Sequence, residues 1–270
     1  IEKIEVLRDG AAAQYGSDAI AGVVNIVMKS KPGGEASFNY GQTSRNDGET
    51  YNFNGSYGRK LGQSGSIVFS AVVSERKKTN RSKDHNLDIF GDNFAYDFAD
   101  DPAAAKAADD AKIAALGLTR KDFRFQIGDA ALKNQQFFIN AETSLNDRLD
   151  FYSFGGVSLR QGEGFGFRRL PSELSEDALK IYPIGFQPIL KSKVNDYSNS
   201  TGLRYSYKGW KVDLSNTFGL NSFRYDVENS INQSIGIDSP TKFYAGQHQF
   251  LQNTVNLDFS KNYDVLEGFN

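Results

Sequence analysis

Side chains able to do covalent, metal or anion chemistry are sparse in this 270-residue chain, and their spacing limits what they can do. There are two histidines, His85 and His248, and no cysteine. Neither histidine has a second His or Cys at ligand spacing, which argues against a zinc-type centre. The run GEGFGF at residues 162–167 carries spaced glycines but leaves a strand without opening a helix, the context a phosphate cradle needs. Asp88, Asp92, Asp97, Asp100 and Asp101 lie close in sequence. They lack the register of a calcium-binding helix–loop–helix, and a solvated acidic loop is the plainer reading. No Ser–His–Asp or paired-carboxylate spacing is present. No enzyme activity, catalytic residue, metal or cofactor is therefore expected.

What remains is cationic and aromatic. Arg168, Arg169, Lys191 and Lys193 fall in one expected loop, and Phe94, Tyr96, Phe123 and Phe125 in another. Rings and guanidinium groups at one mouth can hold an anionic chelate by stacking and charge-assisted hydrogen bonds. Ordinary loop packing uses the same residues. The candidate ligand contacts are Tyr96, Phe123, Arg168 and Arg169.

Composition sets the frame for these residues. A formal net charge of −2 gives no basic field, so nucleic acid is not an expected partner. Mean hydropathy is −0.50, and no run of about 18 apolar residues exists to cross a membrane as a helix. A barrel strand escapes that test, because only every second residue of about ten must be apolar. The 26 Gly, 21 Phe and 13 Tyr, against one Met and one Trp, suit such a wall.

Period-two alternation starts at Ala36 and persists. Ala36, Phe38 and Tyr40 share one face, and Tyr51, Phe53, Gly55 and Tyr57 follow in the same manner. Further strands are predicted around residues 67–73, 137–145, 149–159, 201–207, 210–221 and 251–259, eight in all. Each has one apolar and one polar side. Connections alternate between tight turns (58–65, 146–148, 208–209) and long polar loops (75–134, 161–197, 224–247). Only the first hairpin, around residues 44–49, is short on the long-loop side. Short turns at one end and long loops at the other are a pattern of outer-membrane barrels. In the first long loop, Asp101-Pro102 opens a predicted helix that stops at Gly117. It is either a solvent-side helix or a lid.

The first 29 residues are different. Ile4 and Val6, then residues 23–27, suit a small buried sheet, with a helical turn at 11–14 and bends at Gly10, Gly16 and Gly22. Taken alone this is a strand–helix–strand piece of an α/β unit. The string IEVLRDGAAAQYGSDAIAGVVNIVMK, however, resembles the last plug segment of TonB-dependent outer-membrane receptors. The matching stretches are Ile4-Glu5-Val6-Leu7-Arg8, Tyr15-Gly16, Ala19-Ile20-Ala21-Gly22 and Val23-Val24-Asn25-Ile26. Asp9-Gly10 stands for the usual Gly-Pro, and Ala21 for a usual Gly.

The resemblance implies an all-β fold: a partial transmembrane antiparallel barrel, eight of about 22 strands, preceded by the end of a small α+β plug. Residues 1–30 would end the plug and residues 31–270 would begin the barrel of an internal fragment. The plug-motif positions are Arg8, Asp9, Gly10, Tyr15, Gly16, Gly22 and Asn25. Arg8 would pair with barrel carboxylates of later strands; without the resemblance it reads as a surface Arg. The implied function is energised uptake of a scarce ligand, such as a ferric siderophore, across the bacterial outer membrane. The implied partners are outer-membrane lipid and the TonB complex, the latter through a box preceding residue 1. A monomer is expected. Two other classes fit the pattern: an outer-membrane adhesin or structural barrel, and a soluble β-sandwich binding module.

Overall fold

The structure is a computed structural model that describes residues 1–8, 20–84, 86–91 and 93–261. Two antiparallel sheets account for its strands. Strands β1 (Lys3–Leu7) and β2 (Val23–Val27) form a two-stranded ribbon. Strands β3 (Gly33–Gly41), β4 (Thr50–Leu61), β5 (Gly65–Arg76), β6 (Ala131–Asn146), β7 (Leu149–Phe165), β8 (Ile189–Tyr207), β9 (Trp210–Glu228) and β10 (Lys242–Lys261) form the second sheet. Each pairs with its neighbour in sequence, giving an eight-stranded meander. Helix α1 (Pro102–Ala115) lies in the first long connection and α2 (Glu176–Ile181) in the second.

The register sorts the side chains by face. Ala36, Gly55, Ala71, Phe137, Val157, Tyr197, Leu220 and Leu251 are successive cross-strand partners, one from each strand. The same face carries Phe53, Phe69, Leu203, Leu214 and Leu257. On the opposite face the partners Glu35, Ser56, Ser70, Phe138, Gly156, Ser198, Gly219 and Gln252 form a mainly small and polar row. The alternating sets of all eight predicted strands thus fall in phase across the sheet. Phase is what the pleat demands, since a slip of one residue would interleave apolar and polar side chains.

Among the described residues no second sheet or helix layer covers the apolar face. Phe38 is 65% exposed, Val255 67% and Phe250, on the other face, 63%. The buried apolar core lies instead in the connections, around Ile89, Ile113 and Phe123.

Several boundaries differ from the sequence reading. Strands run past the apolar alternation, so the long connections shrink to residues 77–130, 166–188 and 229–241. Lys191 and Lys193, expected in a loop, lie within β8. Charged side chains at the strand ends hide the period, but backbone pairing does not depend on side-chain polarity. The first tight turn is only residues 62–64, with Gly62 at φ +64°. The ribbon is not a buried sheet: Ile4, Val6, Val24 and Ile26 are all more than half exposed. Two strands alone offer nothing to bury against. Helix α1 starts as expected, with the Asp101 carboxylate accepting from the Ala103 and Ala104 amides at 3.1 and 3.0 Å. Gly117 follows it at φ +68°, where a side chain would be strained.

Two glycines give opposing expectations. A Cβ at Gly156 would overlap the Phe137 carbonyl oxygen of the neighbouring strand, whereas one at Gly219 meets nothing within 4 Å. Gly156→Ala should lower stability by about 1–3 kcal/mol, and Gly219→Ala should change it by less than about 0.5 kcal/mol. Denaturant midpoints of the two variants check the difference.

Candidate functional site: the loop assembly

The long connections meet at one end of the sheet and pack into a folded cap. Its centre is a buried carboxylate. Asp109, on α1, accepts hydrogen bonds from the Ile89 amide at 2.7 Å, the Phe90 amide at 3.0 Å and the Tyr96 hydroxyl at 2.6 Å. Three donors to one carboxylate satisfy a charge that would otherwise be costly to bury. Arg120 donates to the Tyr96 oxygen at 2.9 Å and to Asp110 at 2.7 Å. Burial, helped by the adjacent Asp109 charge, pushes the Tyr96 phenol up to about 12. Ile89, Ile113 and Phe123 pack beside this network, with Phe90, Leu118 and Ile184 around them.

The second and third connections are tied in. The Ser172 amide donates to the Ile89 carbonyl at 3.2 Å and the Ser172 hydroxyl to the Asp88 carbonyl. The Ser175 amide donates to Gln233, and Asn229 donates to the Gln187 carbonyl. The short 42–49 hairpin loop joins from the other side. Arg81 grips both carboxylate oxygens of Asp47, at 2.5 and 2.9 Å. That pairing holds the Asp47 carboxyl well below its ordinary value.

Tyr96 and Phe123, expected as surface contacts for a ligand, are instead 2% and 0% exposed and build the core of the cap. Sequence alone cannot tell a ring at a loop surface from a ring inside a loop. Arg168 lies over Phe123, 5.7 Å from the ring centroid, and donates to the Ile184 carbonyl at 3.1 Å. Its Nε is buried with no hydrogen-bond partner among the described residues. Burial lowers the pKa of this guanidinium, which still stays charged at neutral pH. Arg169 lies 3.9 Å from Glu173 and over the Phe167 ring.

Beside Arg168 is a cavity of about 210 Å³ lined also by Leu87, Asp88, Asn93, Phe94, Phe167 and Glu173. Phe94 and Phe167 stand exposed at its edge. Asp88 is occupied, accepting from the Gly91 amide and from Asn93. The cavity therefore sets the Arg168 cation beside the Phe94 and Phe167 rings, which pack against Phe98 and Phe125, and beside the carboxylates of Asp88 and Glu173. Phe94, named among the loop aromatics but not among the candidate contacts, and Phe167 stand at this cavity, where Tyr96 and Phe123 do not. No group of three or more His, Asp or Glu able to hold a metal occurs among the described residues. Asp92 and His85 lie outside them.

The plug-motif positions are partly described. Asp9, Gly10, Tyr15 and Gly16 lie outside the described residues. Gly22 sits at φ +147°, where a Cβ would overlap the Leu7 carbonyl oxygen. Asn25 donates to Glu5 across the ribbon at 2.8 Å. Arg8 is exposed and has no carboxylate partner among the described residues. The chain leaving the ribbon meets the polar face of the large sheet: Asn140 donates to the Lys29 carbonyl at 3.1 Å, and Lys29 pairs with Glu35.

Neither a protein-family model nor a curated protein matches the chain.

Two outcomes test the cap. Tyr96→Phe should destabilise it by about 1–3 kcal/mol, since Asp109 and Arg120 each lose a partner. The Tyr96 pKa is raised on folding, so its contribution holds below the ordinary value of 10.0 and fades as pH rises towards 12. Limited proteolysis of the loops should show that alkaline opening in the parent and not in Tyr96→Phe. The Asp47 pKa is depressed, so the Arg81 clamp should hold above the ordinary value of 3.8 and release as pH falls below it. Asp47→Asn should free the 42–49 loop at neutral pH, read by cleavage there.

Proposed function

We propose that this chain is part of an outer-membrane β-barrel receptor that takes up a scarce anionic ligand with energy transmitted from the inner membrane. The observation carrying this reading is the uncovered apolar face. A contiguous apolar surface this wide has no stable place in water. Its height also suits a bilayer. From Leu220 to Trp210 on β9 is about 33 Å along the strand, or roughly 25 Å across a membrane at the usual 40° tilt.

The margins of the face fit that placement. At the short-turn end Arg148 lies 4.7 Å from the Tyr207 ring centroid and Lys261 5.2 Å from that of Trp210. Aromatic rings with cations are at home where hydrocarbon meets headgroups. At the other margin the cross-strand row Glu75, Lys133, Gln161, Lys193, Arg224 and Gln247 is wholly polar. The polar face would line a lumen, and the ribbon on that side would belong to the plug inside it, as the motif of residues 4–26 implies. The cap would then stand over the outer mouth, with the Arg168 cavity as the ligand contact. A chelate such as a ferric siderophore supplies both negative charge and planar groups. The reading involves no chemical step on the ligand. It also differs from a sandwich module, in which a second sheet would cover the apolar face.

In cells relying on the full-length protein, uptake of radioiron from a panel of ferric siderophores should stop when a protonophore collapses the proton gradient. Uptake indifferent to the gradient would remove the energised-receptor reading. With the transported chelate in hand, Arg168→Ala should weaken its binding about 10–100-fold, the loss of a charge-assisted hydrogen bond, while Arg169→Ala should change it little. Equal effects of the two would move the contact away from the cavity.

A further inference from the structure

At the loop end of the sheet a cavity of about 320 Å³ spans four strands. Residues 75–77, 131–133, 161–163 and 191–193 border it, one stretch each from the ends of β5 to β8. By register Glu75, Lys133, Gln161 and Lys193 form one row of the apolar face, and Ala131, Glu163 and Lys191 lie in the next. The residues between them, Arg76, Leu132, Gly162 and Ser192, belong to the polar face. The cavity is therefore a trough in the same surface as Phe137, Val157 and Tyr197, with strand backbone for its floor. Each of the four strands has a described neighbour on both sides, so no strand following β10 can lie beside it.

The cations of the trough form two poles. Lys77 and Lys133 stand at the β5–β6 end and Lys191 and Lys193 at the β8 end, with Gln161 and Glu163 between them on β7. Strands β6 and β8 are about 10 Å apart, and β5 and β8 about 14 Å. Lys78 also borders the trough, 4.8 Å from the Phe165 ring centroid. Two carboxylates share the space: Glu75 lies 3.5 Å from Lys133, and Glu163 is the cross-strand partner of Lys191. Lys191 also pairs with Glu228 at 2.7 Å, and the neighbouring Asp226 is taken by Arg224 at 2.7 Å. Lys77 and Lys193 are exposed and make no ion pair among the described residues, which leaves one unpaired lysine at each pole.

The trough lies four residues beyond the Val157–Leu220 row. That is about 13 Å along the strand, or roughly 10 Å in height at a 40° tilt, level with headgroups and not hydrocarbon. Beneath it, on the same strands, the apolar face opens again. Gly155, six residues along β7 from Gln161, stands in a recess of about 510 Å³ bordered by Phe137, Val157, Tyr197 and Phe218. Ser153 and Asn199, its polar side chains on this face, satisfy each other: Ser153 accepts from Asn199 at 3.3 Å and shares a hydrogen bond with Thr201 at 2.8 Å.

We propose that trough and recess together hold one lipid whose headgroup carries two phosphates. One phosphate sits at each lysine pole, the hydroxylated unit joining them lies against Gln161 and Glu163, and an acyl chain runs down β7 to the recess at Gly155. Lysines at headgroup height attract anionic lipid, and each phosphate offers several acceptors for charge-assisted hydrogen bonds. A lipid with a single phosphate reaches only one pole, and a free phosphate ion leaves the recess empty. The proposal rests on the membrane-barrel reading.

The test uses the full-length protein. Detergent extraction comes first, and a chain released without detergent sinks both this proposal and the parent reading. In phosphatidylcholine nanodiscs, lipid A bearing two phosphates should add one bound molecule by native mass spectrometry. Lys77→Gln with Lys193→Gln should raise its dissociation constant about 30-fold, and Lys77→Arg with Lys193→Arg should retain binding. Lys83→Gln with Lys121→Gln, an equal change of charge at exposed positions of the first long connection, should leave it unchanged. Lipid A with one phosphate should bind the parent at least about tenfold more weakly, and inorganic phosphate at the same concentration should not compete. No bound lipid, binding indifferent to the trough lysines, or an equal loss in the Lys83/Lys121 variant would overturn the site. Equal binding of the one-phosphate lipid, or displacement by inorganic phosphate, would overturn the bisphosphorylated lipid as its occupant. A detergent-extracted protein with gradient-driven uptake and none of this binding keeps the parent reading and sinks only the lipid site.

Discussion

A β-strand sends consecutive side chains to opposite sides, and hydrogen bonding between strands locks that alternation into register. Everything else in this molecule depends on that coupling. Eight strands pair in sequence order, and their apolar sets stay in phase from Ala36 on β3 to Leu251 on β10. The outcome is a sheet with two different surfaces and no core of its own. A water-soluble sheet would have to cover one of them. Here the covering is absent among the described residues, and on the proposed reading lipid takes its place.

With the sheet supplying no core, the connections make one. The 77–130 and 166–188 segments wrap around Asp109, whose carboxylate gathers two backbone amides and a tyrosine hydroxyl. A buried charge with all its donors in place is demanding about geometry, which suits loops that lack the regular pairing of a sheet. It also explains why the aromatic residues divide. Tyr96 and Phe123 hold the cap together, while Phe94 and Phe167 remain outside beside Arg168. Rigid loops built this way can present a small cavity with a fixed cation, the property a receptor mouth requires on the proposed reading.

The two faces place different demands on polar groups. On the polar side Tyr152 donates to Asp213 at 2.8 Å, and Arg204 reaches the same carboxylate at 3.1 Å. On the proposed reading such groups face a wet lumen. The apolar side carries amides as well: Asn199 bonds Ser153 and Thr201, and Asn216 donates to Asn253 at 2.7 Å.

Alternation of apolar and polar residues was enough to read eight strands, their faces and the order of short and long connections, because a period of two follows from backbone geometry alone. The cap of helix α1 was legible for the same reason: Asp101, Pro102 and Gly117 act within a turn or two of chain. Strand ends were not legible, since Lys191, Lys193 and Arg224 keep pairing where the apolar signal has stopped. Nor was the division between Tyr96 and Phe94, or the meeting of Arg168 with Phe123, because the first depends on Asp109 and Arg120, 13 and 24 residues from Tyr96, and the second on segments about 45 residues apart arriving at the same place. Local chemistry set the period and the caps; contacts between distant segments decided which side chains became core and which remained available to a ligand.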